Sequence, residues 1–266
     1  MALALYNTTS MRRIDGGLDA LDPYHAMVKD AAERFFAHPG VSDEPFGFIW
    51  DIVGEIPISR GLGSSVTLRL GIIGGLNELC SSPLSVDDIF RLCADAEGHP
   101  DNAGPGAFGG FVLANRRGDS FRFEVPDRLS TVLLIPDFEV MTDPSREALP
   151  MSIPLTDAVV NLGNACTIAA AFATGQLEKL RGAFDDRLHQ PYRKVLVPGL
   201  MEIIDAGTKA GAVGGFLSGS GSTIACFTHE ENGDEIAAAM RSAHPETGTR
   251  SETLILKADN AGMQVL

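Results

Sequence analysis

The segment with the clearest chemical potential is a glycine-rich turn, Pro57-Ile58-Ser59-Arg60-Gly61-Leu62-Gly63-Ser64-Ser65. It follows an extended apolar run, and the apolar spacing after it predicts a helix from Ser64 to about Leu79. Gly61 and Gly63 allow the backbone to adopt positive φ and to approach a ligand closely. The first N–H groups of a helix are unpaired and the helix dipole is positive there, which favours an anion such as phosphate. Glycine followed by serine is also ordinary at the start of a helix, so the residues alone leave both interpretations open.

The loop differs from two common phosphate-binding patterns. It lacks the lysine of G-x-x-x-x-G-K-[ST], and it is not G-x-G-x-x-G. The full string instead fits P-x-x-x-G-L-G-S-S and resembles the second motif of the GHMP small-molecule kinases. This resemblance implies that the loop binds the phosphates of ATP. The nucleotide-binding residues that it implies are Pro57, Arg60, Gly61, Leu62, Gly63, Ser64 and Ser65.

A second segment resembles one branch of this superfamily, the homoserine kinases. Residues 97–102 read Glu-Gly-His-Pro-Asp-Asn, and the segment continues to Gly109-Gly110-Phe111. This is similar to the homoserine kinase segment E-G-H-P-D-N-x-x-P-x-x-x-G-G. The stretches 145–150 and 186–193 also resemble homoserine kinases, each at its expected place in the order. The resemblance therefore covers the chain from its first residue to about Phe227.

A second glycine-rich turn lies at residues 214–223 and resembles the third motif of the superfamily. In that family the turn joins two strands and supports the phosphate site, so the resemblance adds Gly219 and Gly221 to the residues expected near ATP. Ser222 stands where the family usually has proline.

The resemblance implies an α+β architecture, the GHMP kinase fold, with two α/β-sandwich halves. The N-terminal half, residues 1–130, is expected to be ribosomal protein S5 domain 2-like and to bind the nucleotide. The C-terminal half, residues 131–266, is expected to be ferredoxin-like. The family's first motif, of the form S-A-N-L-G-P-G-F-D, precedes the stretch that Met1–Asn7 resembles.

That first motif supplies an asparagine and an aspartate at the substrate in the family, and no residue of this chain takes those two roles. Losing two hydrogen bonds to a charged substrate would cost roughly 3–6 kcal/mol, at about 1.5–3 kcal/mol each. We therefore expect the chain as written to bind its substrate weakly. One expectation that follows is that the translation start of this protein has been assigned too far downstream.

Glu97 is the expected Mg²⁺ ligand by resemblance, because it matches the carboxylate that holds the ion between the ATP phosphates. Hard oxygen ligands suit Mg²⁺, which commonly takes one or two carboxylates and the phosphates. Ser64 or Ser65 is expected to add a hydroxyl, and Glu97 and Ser64 are the expected catalytic residues. The alternative for Glu97 is a solvated glutamate at a helix end.

Three residues are expected at the substrate, which carries a carboxylate, an ammonium group and the accepting hydroxyl. A guanidinium can bind a carboxylate through two parallel hydrogen bonds, and Arg146 and Arg193 match family positions that do so. Asn102 can bond the polar groups of an amino acid. The alternatives are surface arginines, a structural pair between Arg193 and Asp186, and a turn role for Asn102.

A few other positions carry weaker expectations. His99 and His189 are interpreted as structural, because a lone histidine in a turn needs a partner before it acts as a base. Arg69, a departure from the family pattern, is expected to extend its head to solvent.

Composition agrees with a globular enzyme but does not identify one. The 266 residues carry a net charge of −14, with 21 basic and 35 acidic residues, which disfavours nucleic acid as a partner. No stretch is judged long and apolar enough to span a membrane, and a cytoplasmic protein is expected. Four single cysteines are interpreted as reduced core residues: Cys80, Cys93, Cys166 and Cys226.

Apolar spacing predicts alternating helices and strands. Asp22 and Pro23 predict the start of a first helix, and Ser85 predicts the start of another that runs toward Glu97. The first helix is expected to bury Val28, Ala31, Ala32, Phe35 and Phe36. A long helix ending near Gly175 is predicted by the spacing of Leu155, Val159, Leu162, Cys166 and Ala169. Strands are predicted at 46–56, 111–115, 120–125, 131–135, 212–217, 223–227 and 253–257, and helices at 200–204 and 236–240.

The resemblance implies transfer of the γ-phosphoryl group of ATP, with Mg²⁺, to the hydroxyl of L-homoserine, giving O-phospho-L-homoserine in threonine biosynthesis. It also implies a homodimer. Nucleic acid and a membrane are not expected as partners, as the net charge and the apolar pattern indicate. Two alternatives remain: a catalytically silent nucleotide-binding protein with the same fold, and a GHMP kinase for another small alcohol such as mevalonate or a sugar.

Overall fold

The computed structural model describes residues 1–20, 25–115, 117–245 and 249–266, and it contains two compact units. The first unit comprises residues 1–56, 64–123 and 259–266, and the second comprises residues 57–63 and 124–258. The chain therefore passes between the units more than once. The boundary expected at residue 130, between an N-terminal and a C-terminal half of the chain, stays a prediction.

Among the residues that the structure describes, the first unit contains four α-helices. Helix α1 spans Ala26–Phe36 and buries Val28, Ala31, Ala32 and Phe35, as its apolar spacing predicts, whereas Phe36 is only partly buried. The start predicted at Asp22 and Pro23 lies outside the described residues. Helix α2 spans Ser64–Leu79, α3 spans Val86–Glu97 and α4 spans Ala103–Phe108. Ser85 caps α3 through a reciprocal capping box with Asp88, which confirms the predicted start of that helix.

Two short antiparallel sheets complete the first unit. Strand β1, Asn7–Ile14, pairs with β2, Gly47–Gly54, and strand β3, Phe111–Ala114, pairs with β4, Ser120–Phe123. The sequence predicts β2, β3 and β4, but β1 is missed because it is largely polar and only partly buried. The core of the unit lies among α1, α2 and α3, where Phe35, Ile72 and Phe90 are fully enclosed.

The second unit contains a four-stranded antiparallel sheet. Its strands are β5, Ser130–Pro136; β6, Gly214–Leu217; β7, Ile224–Thr228; and β8, Ser251–Lys257, in the spatial order β6-β7-β5-β8. Every residue of β5 is buried, and the strand is paired on both edges, with β7 and β8. All four strands are predicted from the sequence.

Five further helices lie in the second unit among the described residues. They are α5, Thr142–Glu147; α6, Leu155–Thr174; α7, Gln190–Arg193; α8, Leu200–Lys209; and α9, Gly233–Ala243. Helices α8 and α9 bury Ile203, Ile236 and Met240 in a core with Val132 and Leu134 of β5. This core fixes the ends of the strands between which the second glycine-rich turn runs.

Helix α6 ends at Gly175, which has a φ of 69° as the predicted stop requires. The apolar residues that predict the helix nevertheless face outward: Leu155, Val159 and Leu162 are 80%, 62% and 67% exposed. The helix also meets the length and hydropathy of a membrane span by composition alone, with 11% of that window buried. The expectation that no stretch is long and apolar enough is therefore wrong.

The four cysteines are free thiols. Cys80, Cys93 and Cys226 are buried as expected, and burial raises the pKa of both Cys93 and Cys226 to about 12. Cys166 is exposed on α6, so its assignment to the core is wrong. It lies on the outward apolar face of that helix.

Candidate active site

Two glycine-rich turns of the second unit are joined by hydrogen bonds. The Ser218 hydroxyl donates to the Gly61 carbonyl at 2.8 Å, and the Thr223 N–H donates to the Arg60 carbonyl at 3.1 Å. The loop 57–63 and the turn 218–222 therefore support each other. This contact brings together two of the sequence motifs that the resemblance places near phosphate.

Gly61 and Gly63 both have positive φ, 73° and 77°, as predicted for a close-approach loop. Their surroundings differ. A Cβ atom on Gly61 would lie 2.1 Å from the Ser218 carbonyl oxygen, whereas one on Gly63 would meet no atom within 4 Å. Gly61 is therefore required by packing and by conformation, and Gly63 by conformation alone.

We expect Gly61→Ala to destabilise the protein by about 2–5 kcal/mol, because strain at positive φ adds to displacement of the Ser218 turn. Gly63→Ala is the matched control and carries only the conformational cost of about 1 kcal/mol. Thermal unfolding of the two variants checks the difference. Equal melting temperatures would contradict the packing of loop 57–63 on turn 218–222.

Arg60 leads into this loop, and its side chain is 13% exposed. Its guanidinium donates to Asp137 at 3.2 Å and lies 3.8 Å from Glu139. These acidic partners hold Arg60 against the end of β5. A contact between Arg60 and ATP stays a prediction.

Ser222 replaces the family's usual proline and is completely buried. Its hydroxyl donates to the Phe138 carbonyl at 2.7 Å, so the buried polar group is paired. The buried Gln190 accepts the Leu217 N–H at 2.7 Å, which fixes the start of the turn. The sequence draws attention to Ser222 but not to its partner, and it does not draw attention to Gln190, because both contacts join positions that are distant along the chain.

Arg193 spans two segments of the second unit. Its Nε donates to the Ser145 carbonyl at 3.0 Å, and Nη1 donates to the Gly219 carbonyl at 3.2 Å. A guanidinium has five N–H donors, so these two bonds leave others for a ligand. The carbonyl contacts orient Arg193 beside the second glycine-rich turn.

Arg193 and Arg146 influence each other electrostatically. Burial lowers the pKa of Arg193, and the positive charge of Arg146 lowers it further, against the opposing charge of Asp186. Two neighbouring cations on α5 and α7 form a region that favours an anion. The structure thus brings together the two arginines expected to bind the substrate carboxylate.

Asp186 has a different principal role from the structural pair with Arg193 that was the alternative to substrate binding. Its carboxylate accepts the N–H groups of Leu188, His189 and Gln190 at 3.1, 2.9 and 2.6 Å. Burial opposes ionisation, but these bonds and one from Asn161 hold the pKa of Asp186 below its usual value. Asp186 therefore organises the start of α7, from which Arg193 projects.

In the first unit, Ser65 and Glu97 meet at the start of α2 and the end of α3. The Ser65 hydroxyl donates to Glu97 Oε2 at 3.0 Å, and the Glu97 side chain is only 10% exposed. The alternative of a solvated helix-end glutamate is therefore wrong. Of the two serines expected to accompany Glu97, the structure places Ser65 on it. Ser64 begins α2, and its carbonyl accepts the Thr67 hydroxyl.

The Ser65–Glu97 pair has a separation suited to Mg²⁺. Adjacent ligands around an octahedral Mg²⁺ at 2.0–2.1 Å lie about 2.9–3.0 Å apart, and the two oxygens are 3.0 Å apart. Among the described residues, no group of three or more His, Cys, Asp or Glu side chains could hold a metal by itself. An ion at this pair would therefore need further oxygen ligands, such as water or phosphate oxygens, to complete its coordination.

Arg69 does not extend to solvent as expected. Its side chain is 11% exposed, and its Nε donates to Glu97 Oε1 at 2.8 Å. Its Nη1 donates to Asp30 on α1. Burial opposes ionisation of Asp30, but bonds from Arg34 and Arg69 outweigh it and lower the pKa of Asp30. Arg69 lies four residues after Ser65 and therefore on the same face of α2, which was the available sequence signal for its contact with Glu97.

Asn102 lies in the first unit, just before α4. Its backbone N–H donates to the Asp101 carboxylate at 2.8 Å, and its side chain makes no capping bond to α4. His99 Nδ1 lies 2.5 Å from the same carboxylate, in keeping with a structural role in the turn. A substrate contact by Asn102 stays a prediction.

Comparisons with known proteins match both halves of the chain. Models of the GHMP kinases N terminal domain and the GHMP kinases C terminal match residues 26–110 and 168–246. Homoserine kinase of Caldicellulosiruptor bescii is 38% identical over 100% of this chain and 90% of its own length. The chain belongs to the homoserine kinase family.

Solved structures confirm the GHMP kinase fold of this homoserine kinase family member. The crystal structure of homoserine kinase from Cytophaga hutchinsonii has a TM-score of 0.87 and 25% identity, over 98% of this chain and 89% of that one. Lactococcus lactis galactokinase has a TM-score of 0.71 and 16% identity, over 98% and 87% of the two chains. That second likeness shows the fold alone.

Proposed function

We infer that the chain is an ATP-dependent kinase that phosphorylates the hydroxyl of L-homoserine, giving O-phospho-L-homoserine for threonine biosynthesis. The observation that carries this conclusion is the 38% identity to a homoserine kinase over the whole chain. The lower likeness to galactokinase is confined to the fold, so it does not favour a sugar as acceptor. Because the donor is ATP, we place the enzyme in the cytoplasm.

The glycine-rich segments are proposed to hold the ATP phosphates. Backbone N–H groups of such turns and of a helix start bind phosphate oxygens. Bound Mg²⁺ would neutralise charge on those phosphates. Glu97 and Ser65 would hold the ion, and the mutual support of the two glycine-rich turns gives the loop a fixed shape. The proposed nucleotide-binding residues are Pro57, Arg60, Gly61, Leu62, Gly63, Ser64, Ser65, Gly219 and Gly221.

Arg146 and Arg193 are proposed to bind the carboxylate of homoserine. Support comes from their mutual electrostatic influence and from the carbonyl contacts that orient Arg193. Asn102 is proposed to bond the polar groups of the amino acid through its side-chain amide. A recognised carboxylate would separate homoserine from a sugar, which has none.

The chain's own groups account for catalysis without a strong base. The transition state of phosphoryl transfer is loose, with charge on the equatorial oxygens of the phosphoryl group, so positioned donors supply most of the stabilisation. Loop N–H groups would donate to the phosphates, and the two arginines would hold the acceptor. The buried Ser65–Glu97 pair holds its oxygens in place before the substrates bind.

The test is ADP release from ATP and Mg²⁺ by the full chain with a panel of acceptors. L-homoserine is expected to stimulate release, and mevalonate and galactose are the matched controls. Stimulation by one of those alcohols instead would assign another GHMP kinase activity. Nucleotide binding without release for any acceptor would support a catalytically silent relative.

We also propose that two copies of the chain pair through α6. Four exposed residues of α6 are separated by four, three and four positions: Leu155, Val159, Leu162 and Cys166. This is the spacing of the residues along the contact line, or seam, between two paired helices. The polar face of α6 is turned toward its own unit, where Asn161 donates to Asp186 at 2.8 Å. A soluble domain usually has the opposite arrangement, with the apolar face inward. A second copy of the same uncharged seam would cover it.

For this pairing we expect Leu162→Glu to convert a dimer into a monomer, because it places two charges in the seam. Thr167→Glu, on an exposed position outside the seam, is the control with the same added charge. Light scattering after size exclusion is expected to give twice the 28.2 kDa chain mass for the wild type and the control. A monomeric wild type, or a dimer that persists in Leu162→Glu, would contradict the proposal.

A further inference from the structure

Arg69 is held between two carboxylates in the first unit. Its Nε donates to Glu97 Oε1 at 2.8 Å, and its Nη1 donates to Asp30 Oδ2. The side chains of Arg69 and Glu97 are 11% and 10% exposed. Because the planar guanidinium is bonded at both ends and largely buried, its orientation is fixed.

The two oxygens of Glu97 consequently have different partners. Oε1 accepts from Arg69, and Oε2 accepts from the Ser65 hydroxyl at 3.0 Å. The terminal torsion of a glutamate is broad, so a carboxylate with one partner would rotate. The bond from Arg69 therefore fixes the orientation of the carboxylate, with its second oxygen directed at the Ser65 hydroxyl.

We propose that Arg69 is a positioning residue for the nucleotide-bound metal ion. It holds Glu97 so that Oε2 and the Ser65 hydroxyl are presented together as two neighbouring oxygen ligands, and Asp30 anchors Arg69 from the other side. This inference rests on the proposed function, in which Glu97 and Ser65 hold the Mg²⁺ of ATP. Hydrogen-bond partners behind a metal ligand commonly change metal affinity by about 10–100-fold.

Competition between cations is the opposing effect. Arg69 is itself positive, so it could weaken the attraction of Glu97 for Mg²⁺. Asp30 offsets that charge on the side away from Glu97, although it also accepts from Arg34 at 2.8 Å. If Arg69 mainly competes with Mg²⁺ for Glu97, its removal makes Mg²⁺ improve nucleotide binding more. If Arg69 mainly positions Glu97, its removal makes Mg²⁺ improve nucleotide binding less.

The test measures how much Mg²⁺ improves binding of the non-hydrolysable ATP analogue AMP-PNP. Calorimetry with Mg²⁺ and with a chelator gives two dissociation constants, whose ratio is the metal-dependent gain. Arg69→Met is expected to reduce this gain about 10–100-fold. Arg69→Lys, which keeps the charge but loses the planar fork, is expected to recover part of it. Arg34→Met, which removes a different arginine from the same Asp30, is the matched control and is expected to change the gain by less than about threefold.

An unchanged or larger gain in Arg69→Met would overturn the proposal, as would a wild-type chain without any gain. Should Arg69→Met fail to fold, Asp30→Asn carries the test, because it releases the far end of Arg69 and is expected to reduce the gain in the same direction. An unchanged gain in that variant would also overturn the proposal. Homoserine-stimulated turnover of the wild type is measured separately, so failure of the proposed substrate is distinguishable from failure of the metal-positioning role.

Discussion

Replacement of Glu97 by glutamine is expected to lower kcat for homoserine phosphorylation by about 10²–10³-fold, the scale seen when one preorganised stabilising group is removed. Glutamine preserves the shape of the side chain but removes the charge that would attract Mg²⁺. The Ser65 hydroxyl and the buried Arg69 would then face a neutral amide. The steady-state rate at saturating ATP and homoserine measures the effect.

A second glutamate provides the control for this substitution. Glu78 lies exposed on α2, where it accepts the Ser82 hydroxyl at 2.7 Å. Glu78→Gln removes the same charge and is expected to retain the wild-type rate. Because a buried ion pair is broken in Glu97→Gln, the folded fraction of each variant is checked by circular dichroism. A folded Glu97→Gln protein with nearly wild-type kcat would contradict the metal-ligand assignment.

Replacement of Arg193 by methionine is expected to lower kcat/KM for homoserine by roughly 30–5,000-fold, which is the equivalent of about 2–5 kcal/mol of lost transition-state stabilisation. The loss has two causes. The substrate carboxylate would lose its proposed partner, and the carbonyls of Ser145 and Gly219 lose the donor that holds them. Arg193→Lys is expected to recover little, since an ammonium group cannot reproduce the planar contacts. Initial rates over a range of homoserine concentrations give the value.

Arg187 is the matched control, because it is an exposed arginine a short distance along the same segment. It pairs with Asp185 at 3.0 Å and with Asp157 at 3.4 Å. Arg187→Met is expected to change kcat/KM by less than about threefold, as is usual for surface ion pairs. The same large loss in both variants would indicate damage to the α7 region in general. Arg193 would then have no specific part in substrate binding.

Local features of the fold were predictable from the sequence. The positive φ of Gly61, the capping box at Ser85 and the stop at Gly175 each depend on a few neighbouring residues. Apolar spacing likewise predicts α2 with its observed ends. These features follow from rules that act within one or two helical turns.

Contacts between distant parts of the chain were not predictable. Ser218 and Gly61 are 157 positions apart, and Arg69 and Glu97 are 28 apart. No local pattern indicates the first bond, and the second is indicated only indirectly, by the position of Arg69 one helical turn after Ser65. The family pattern identified Glu97 but gave no role to Arg69, which departs from it. Tertiary packing turned a residue expected in solvent into a buried partner of the proposed metal ligand.

Helix α6 shows a further limit of periodicity. The spacing of Leu155, Val159 and Leu162 correctly indicates a helix, but it does not indicate what covers the apolar face. Asn161 and Asn164 bind the loop at 185–186 instead, which turns that face outward. Exposure of an apolar seam is a property of the tertiary structure, and it is the basis for the proposed dimer.

The most direct test of the account is identification of the product formed from ATP, Mg²⁺ and L-homoserine. Phosphorus NMR and mass spectrometry are expected to show O-phospho-L-homoserine accumulating in equal amount to ADP. Inorganic phosphate in place of the ester would indicate hydrolysis of ATP without transfer. That result, or the absence of any homoserine-dependent product from a folded chain that binds ATP, would contradict the assignment of this chain as a homoserine-phosphorylating enzyme.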